Sequence, residues 1–173
     1  MEVEIKLKCS NLNKLKKKLL KTGAILSKTK QQTDIYYEHP SRVLLKSKEY
    51  LRLRKMGNIK TLAHHINISN GVNDECEIEL EKNADIENLL QRLNFSKLGT
   101  IDKKREQYRL KRYNICLDKV KNIGNFIEIE LEVGKKDVTE AKKACWQLAQ
   151  KLGLSKKDEF PFWLCDIAVG KVN

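Results

Sequence analysis

The 173-residue sequence contains no CxxC pair and no Cys/His spacing suited to zinc; its five cysteines, at 9, 76, 116, 145 and 165, are odd in number and widely scattered. They read as reduced thiols, and none has a recognisable base to make it a nucleophile. No stretch approaches the roughly 20 apolar residues of a membrane span, and no basic segment followed by an apolar run opens the chain. The expectation is a cytosolic protein with no membrane partner. Long linkers are also absent, and a hydrophobic fraction of 40% is enough for one core, so residues 1–173 are expected to form a single domain. Acidic residues are the scarce charge: 23 Asp and Glu against 35 Lys and Arg leave a formal net charge of +12. Such a field attracts anions, but nucleic acid, an anionic membrane and a small polyphosphate would all answer it. The placement of the charges has to decide.

What is present is alternation. Glu2, Glu4, Lys6 and Lys8 alternate with Val3, Ile5 and Leu7, the period-two signature of a strand with chemically opposite faces. Ser10 or Asn11 can cap a helix with an apolar stripe of Leu12, Leu15, Leu19 and Leu20, stopped by Gly23; its run Lys16-Lys17-Lys18 reads as solvated. Extended segments are expected at 24–37, 50–55, 59–68 and 74–82, the last two joined by an Asn70-Gly71 hairpin turn. A short helix follows at 85–93, then strands over 99–120 and 125–133 around Asn122-Ile123-Gly124. Thr139 can cap a helix whose Ala141, Ala144, Cys145, Leu148, Ala149 and Leu152 share a face, and Pro161 separates it from a short apolar helix. Each half carries charged strands and a helix, and Glu128-Ile129-Glu130 mirrors Glu2 and Glu4, which suggests an internal pseudo-repeat.

Any one such strand can be an ordinary amphipathic surface strand. Recurrence changes the reading, because Glu2/Glu4, Arg52/Arg54, Glu77/Glu79, Lys103/Arg105 and Glu128/Glu130 each put like charges two residues apart on one face. Paired carboxylates ask for cations and paired arginines ask for anions. If helices cover the apolar faces, the charged faces turn inward and the sheet closes into a barrel, removing exposed edges. Facing Glu-x-Glu segments suit Mg²⁺ or Mn²⁺, and two such ions could fit. Lys6, Arg52, Arg54, Lys103 and Arg105 could hold the oxygens of a triphosphate, the arginines in a two-pronged contact.

Several segments in order carry a family resemblance: Glu2-Val3-Glu4-Ile5-Lys6, Gln32-Thr33-Asp34-Ile35-Tyr36-Tyr37, Tyr50-Leu51-Arg52-Leu53-Arg54, Lys103-Lys104-Arg105-Glu106-Gln107-Tyr108, Ile115-Cys116-Leu117-Asp118-Lys119-Val120 and Ile123 to Glu130. Over nearly the whole chain the sequence resembles the CYTH, or triphosphate tunnel, superfamily, and particularly its class IV adenylyl cyclase branch. The resemblance implies an α+β fold, a closed eight-stranded antiparallel β-barrel with helices packed outside. It implies metal ligands at Glu2, Glu4, Asp118, Glu128 and Glu130, with Glu77 and Glu79 at further acidic positions. Triphosphate contacts fall on Lys6, Arg52, Arg54, Lys103 and Arg105, of which Lys6, Lys103 and Arg105 are the catalytic candidates. In the cyclase branch the ribose 3′-hydroxyl of ATP attacks the α-phosphorus and pyrophosphate leaves; in triphosphatase branches metal-activated water attacks the terminal phosphorus. A homodimer is suggested by the same analogy.

Two positions depart from the family pattern. Where it has a lysine in L-T-x-K, this chain reads Leu62-Ala63-His64-His65, which assigns His65 to the lysine position and to the triphosphate contacts. Where it has R-x-E-x-E, this chain reads Glu75-Cys76-Glu77-Ile78-Glu79. A charge-assisted hydrogen bond contributes about 1.5 to 3 kcal/mol, so the two changes bear on substrate choice and rate. The alternatives to a cyclase acting on ATP are therefore an inorganic or thiamine triphosphatase, and a nucleotide or polyphosphate binder with reduced activity. A nucleic-acid partner is disfavoured, since it leaves the glutamates without a role. Trp146, Trp163 and Phe160-Pro161-Phe162 read as core rather than as a base-stacking platform.

Overall fold

The computed structural model describes residues 1–69, 72–160 and 164–168. The elements run β1 (Glu2–Lys8), α1 (Leu12–Lys21), β2 (Ile25–Glu38), β3 (Glu49–Met56), β4 (Ile59–Ser69), β5 (Val72–Leu80), α2 (Ile86–Arg92), β6 (Ser96–Leu110), β7 (Tyr113–Val120), β8 (Gly124–Glu132), α3 (Val138–Lys151) and α4 (Leu164–Ala168), with short 3-10 turns between some of them. The eight strands close into an antiparallel barrel in the order β1-β5-β4-β3-β2-β6-β7-β8. No helix among the described residues is long and apolar enough to cross a membrane.

Contacts within the chain divide it into two compact units, the first from residues 1–30, 69–73 and 103–161, the second from 31–68, 74–102 and 162–173. They are not the two successive halves suggested by the repeated Glu-x-Glu. The reason is the pairing of β1 with β8, seven residues in register from Glu2↔Glu132 to Lys8↔Phe126, which places the N-terminal strand among the last three.

In the first unit the apolar faces of β1, β7 and β8 are covered by helices. Val3, Ile5, Leu7, Ile115, Leu117, Ile127, Ile129 and Leu131 pack in one buried cluster with Leu15 and Leu19 of α1 and with Ala141, Cys145, Leu148 and Ala149 of α3. The period of two in the strands and of 3.6 in the helices makes this possible, because each element exposes one continuous apolar face. Asn11 caps α1 by accepting from the backbone N–H of Lys14 at 2.9 Å. Two readings are corrected. The cap of α3 is Asp137, not Thr139, because a 3-10 turn at Lys135–Asp137 leads the chain into the helix earlier. The lysine run of α1 is not uniformly solvated: Lys16 Nζ lies 2.7 Å from Glu106 Oε2, and Lys18 Nζ donates to the Leu152 carbonyl at 2.8 Å. Long stems let both amines reach past the apolar stripe to partners on β6 and beyond α3.

The second unit has a smaller core, Ile35, Tyr37, Leu53 and Leu90, with Leu51, Leu62, Leu80, Ile86 and Phe95 against it. Here α2, capped by Asp85 as the acceptor for the Asn88 N–H, supplies Leu90 to the outer face. The expected strand at 74–82 forms, but Ile78 stays 53% exposed, so its apolar face is only partly used. Asn70, Gly71, Pro161, Phe162 and Trp163 lie outside the described residues.

Gly99 in β6 marks a close approach of α4: a Cβ at this position would meet the Ala168 carbonyl oxygen at 2.2 Å. Gly99→Ala should therefore destabilise the protein by about 1 to 3 kcal/mol through overpacking against backbone. A urea-unfolding midpoint unchanged from the parent protein would contradict that contact.

Candidate functional site

The charged side chains follow from the strand registers. In the first unit Glu4 stands opposite Glu130 and Lys6 opposite Glu128, between β1 and β8. Across β7 and β8, Asn114 stands opposite Glu130, Cys116 opposite Glu128 and Asp118 opposite Phe126. Arg105 faces Asp118 and Lys103 faces Val120 between β6 and β7. Because alternate residues share a face, one surface of β6-β7-β8-β1 carries Lys103, Arg105, Asp118, Glu128, Glu130, Glu4, Glu2 and Lys6, the side opposite the helix-covered core. All of the catalytic candidates and five of the seven candidate ligands thus come together in one unit.

Arg105 is the hub of this surface. Its Nε and Nη2 donate to the two oxygens of Asp118 at 2.8 and 2.6 Å, and Nη2 also donates to Glu128 Oε2. Lys103 Nζ lies 3.3 Å from Asp118 Oδ2. Lys6 Nζ lies 3.1 Å from Glu128 Oε1 and 3.5 Å from Glu4 Oε1. Asp118 is fully buried, and Lys103, Glu128 and Glu130 are nearly so. Burial would raise the pKa of Glu128, yet Arg105, then Lys6 and Lys103, hold it well below the usual carboxylate range. Glu130 shifts the other way: burial, reinforced by Glu2 and Glu128, pushes it well above that range. Glu4 is also raised, by burial and by Glu128, with Lys6 opposing. The surface therefore has a cation-rich side around Arg105 and a carboxylate-rich side around Glu130.

Glu130 accepts from the Asn114 side-chain amide, and Cys116 Sγ lies 3.9 Å from Glu130 Oε1. Cys116, Glu128 and Glu130 place one potential ligand atom each within 4.8 Å of one another. The thiol of Cys116 is pushed well up by burial and by the neighbouring carboxylates, against the pull of Arg105, so it is a weak hydrogen-bond donor here. Sequence reasoning missed Asn114 and Cys116. The alternation of Asn114, Cys116 and Asp118 with Ile115 and Leu117 was the signal that could have found them.

The second unit holds the other cationic candidates. Tyr36 stands opposite Arg52 and Asp34 opposite Arg54, between β2 and β3. Between β3 and β4, Tyr50 faces His65, Arg52 faces Ala63 and Arg54 faces Thr61. Arg54 gives Nε and Nη2 to the two oxygens of Asp34 at 2.6 and 2.8 Å. Arg52 Nη2 donates to Glu75 and to Glu77, 3.1 Å each. Glu79, two residues on from Glu77 on the same side of β5, is exposed. His65 lies on the face of Arg52, stacked on Tyr50 at 4.3 Å with its Nε2 2.9 Å from Glu75 Oε1. His64 points away to Glu49, 2.7 Å from Oε2. Only one of the adjacent histidines joins the charged face, as strand alternation requires. Asp34 and Tyr50 went unassigned, because cross-strand partners depend on register.

A family model for the CYTH domain matches residues 1–161. The chain belongs to the CYTH family. It is 29% identical over 153 residues, 87% of this chain and 86% of the relative, to a Methanocaldococcus jannaschii protein named "Putative adenylate cyclase MJ0240". Among solved structures, the PH1819 protein of Pyrococcus horikoshii superposes with a TM-score of 0.89 at 28% identity, covering 99% of this chain and all of that one. PH1012 of the same organism gives 0.84 at 29% identity, with both chains fully covered. The resemblance read from the ordered segments and the eight-stranded antiparallel barrel with outer helices are both borne out.

Asp118→Asn removes the charge that answers both Lys103 and Arg105, and should lower stability by about 3 kcal/mol in urea unfolding, the scale of a broken buried pair. For acid sensitivity, the His65 contact, then Arg52 and Arg54, lowers Glu75 to about 2 against the effect of burial. A depressed acid contributes stability above its ordinary value of 4.5 and loses it as pH falls toward about 2. Burial lowers His65, so protonating it below its ordinary value of 6.5 also costs stability. The melting temperature should fall on acidification and fall less steeply in Glu75→Gln; parallel profiles for the two proteins would refute the assignment.

Proposed function

We propose that this chain is a divalent-metal-dependent enzyme acting on a triphosphate, with ATP cyclised to cyclic AMP and pyrophosphate as the leading reaction. The observation that carries the reading is the shared surface of Lys6, Lys103 and Arg105 with Glu2, Glu4, Asp118, Glu128 and Glu130 in one unit. Family membership and the adenylate cyclase name of the Methanocaldococcus relative support it.

The residues present fit Mg²⁺ or Mn²⁺. Hard cations of this kind prefer carboxylate oxygens, and the side around Glu130 supplies them: Glu4 and Glu130 face each other across β1 and β8, and burial with neighbouring carboxylates keeps the Glu130 carboxyl high until a cation compensates it. Cys116 is poorly suited to such an ion, and its protonated thiol leaves the oxygen donors in charge of the site. Glu2, Glu4, Glu128, Glu130 and Asp118 would hold the metal, one ion or two. When bound, it would polarise the reacting phosphoryl group and lower the pKa of the attacking oxygen. Lys6, Lys103 and Arg105 bind the phosphate oxygens and stabilise negative charge as it develops on the leaving group, exchanging part of their pairing with Glu128 and Asp118 for substrate. The low pKa of Glu128 keeps it ionised, so it orients Lys6 and Arg105 at neutral pH.

The second unit gives a specific reason to keep terminal hydrolysis, or binding with slow turnover, as an alternative. Arg52 is shared between Glu75 and Glu77, Arg54 is clamped by Asp34, and a histidine held neutral by burial stands where the family pattern has lysine. Less positive charge is available there for a long anionic chain.

Phosphorus NMR of product mixtures from ATP, tripolyphosphate and thiamine triphosphate, each with Mg²⁺ and with Mn²⁺, separates the readings: cyclic AMP with pyrophosphate for the cyclase, orthophosphate for the triphosphatase, unchanged substrate for a binder. Lys6→Met should lower kcat/KM about 100-fold for whichever triphosphate is turned over. Restoring the family charges with His65→Lys and Glu75→Arg should lower KM about tenfold, the scale of one charge-assisted hydrogen bond. No turnover of any triphosphate by protein that binds metal would sink the enzymatic reading.

A further inference from the structure

The first unit carries a second cationic feature, on the other side of β7 from Asn114, Cys116 and Asp118. A cleft of about 500 Å³ opens between the β6–β7 turn, the end of α1 and the last turns of α3. Lys111 and Arg112, at the turn, and Lys151, at the end of α3, line it with three positive charges; no carboxylate is among its lining residues. Its remaining wall is apolar, from Leu110, Leu148 and the ring of Tyr113, and all three side chains also pack on the main core of the unit. The Tyr113 hydroxyl reaches the Ala144 carbonyl at 3.4 Å, which ties the ring to α3. Thr22 and Gln147 add polar groups at the margin.

We propose that this cleft is a binding site for a mononucleotide, separate from the carboxylate surface. Three cations with no acid among them match a phosphate group, and an apolar wall with an aromatic ring matches a base. The volume lies in the range of pockets that hold small molecules of that size. The backbone that carries these cations is anchored: Lys111 adopts a left-handed conformation, φ +52°, at the turn, and Lys151 ends a helix whose preceding turn buries Leu148 and Ala149 in the core. Tyr113 and Asn114 are successive residues on one strand and point to opposite faces, so the site does not share side chains with the proposed reaction surface. A nucleotide bound there would act as an effector or as a second copy of substrate or product.

The test uses the full chain with EDTA present, AMP as the probe, and backbone amide shifts as the readout. Saturable shifts confined to 111–113 and 144–151 are expected, with adenosine, which lacks the phosphate, giving weaker ones at the same concentration. Arg112→Gln with Lys151→Gln should weaken AMP binding at least about tenfold, since both are exposed and their loss leaves the core intact. Lys111→Gly, which tolerates the left-handed turn, should do so in part. Shifts that appear only in β1 and β8, equal responses to adenosine and AMP, or full affinity in the double variant would each overturn the proposal. Catalytic turnover is not part of this readout, so its failure and the failure of the enzymatic reading are distinguishable.

Discussion

Charge compensation at Arg105 is the constraint on which the arrangement of the first unit depends. Its guanidinium spans Asp118 on β7 and Glu128 on β8, Lys103 shares Asp118, and Lys6 of β1 shares Glu128. One planar group thus ties β6 to β7 and β8, and Lys6 carries the network on to β1 through Glu128, at a depth where an isolated ion would cost several kcal/mol. The network also fixes register, because a slip of one residue would send every charge to the side covered by α1 and α3 and every isoleucine and leucine to the polar side. Fold and chemistry impose the same alternation.

The two units answer their charges differently. In the second, arginines and carboxylates are matched side chain to side chain, with Arg54 on Asp34 and Arg52 on Glu75 and Glu77. In the first, matching is good around Arg105 and breaks down toward Glu130, where carboxylates crowd one another. That imbalance is more informative than the net charge of +12, which reflects exposed lysines as much as any site. A structure that tolerates crowded buried carboxylates has reason to take up a cation.

Much of this was legible in the sequence, and for an identifiable reason. Strand faces follow directly from a period of two, so the alternation alone groups Glu2, Glu4 and Lys6, Arg52 and Arg54, and Glu128 and Glu130 by face. The pairings between strands were not legible. That Asp34 would clamp Arg54, or that Tyr50 would stack on His65, depends on register and on the order in which strands meet, which short-range patterns do not encode. Asn114 and Cys116 were overlooked because neither carries a charge, although their parity with Asp118 placed them on the charged face. The lysine run of α1 departs from uniform solvation for a different reason: helical position places the Cα, while a four-carbon stem decides where the amine ends.

The three adjacent lysines of α1 have unequal surroundings despite identical chemistry. Lys16 is held to Glu106, which raises its pKa, and Lys18 is held to the Leu152 carbonyl, while Lys17 between them is exposed. Acylation requires the free amine, so an amine-directed reagent meets three different nucleophiles on one helical turn. Modification of Lys17 leaves α1 seated, whereas modification of Lys16 or Lys18 severs a link from α1 to β6 or to the end of α3. The order in which this run takes up an acyl label is thereby a map of how firmly the helix is moored.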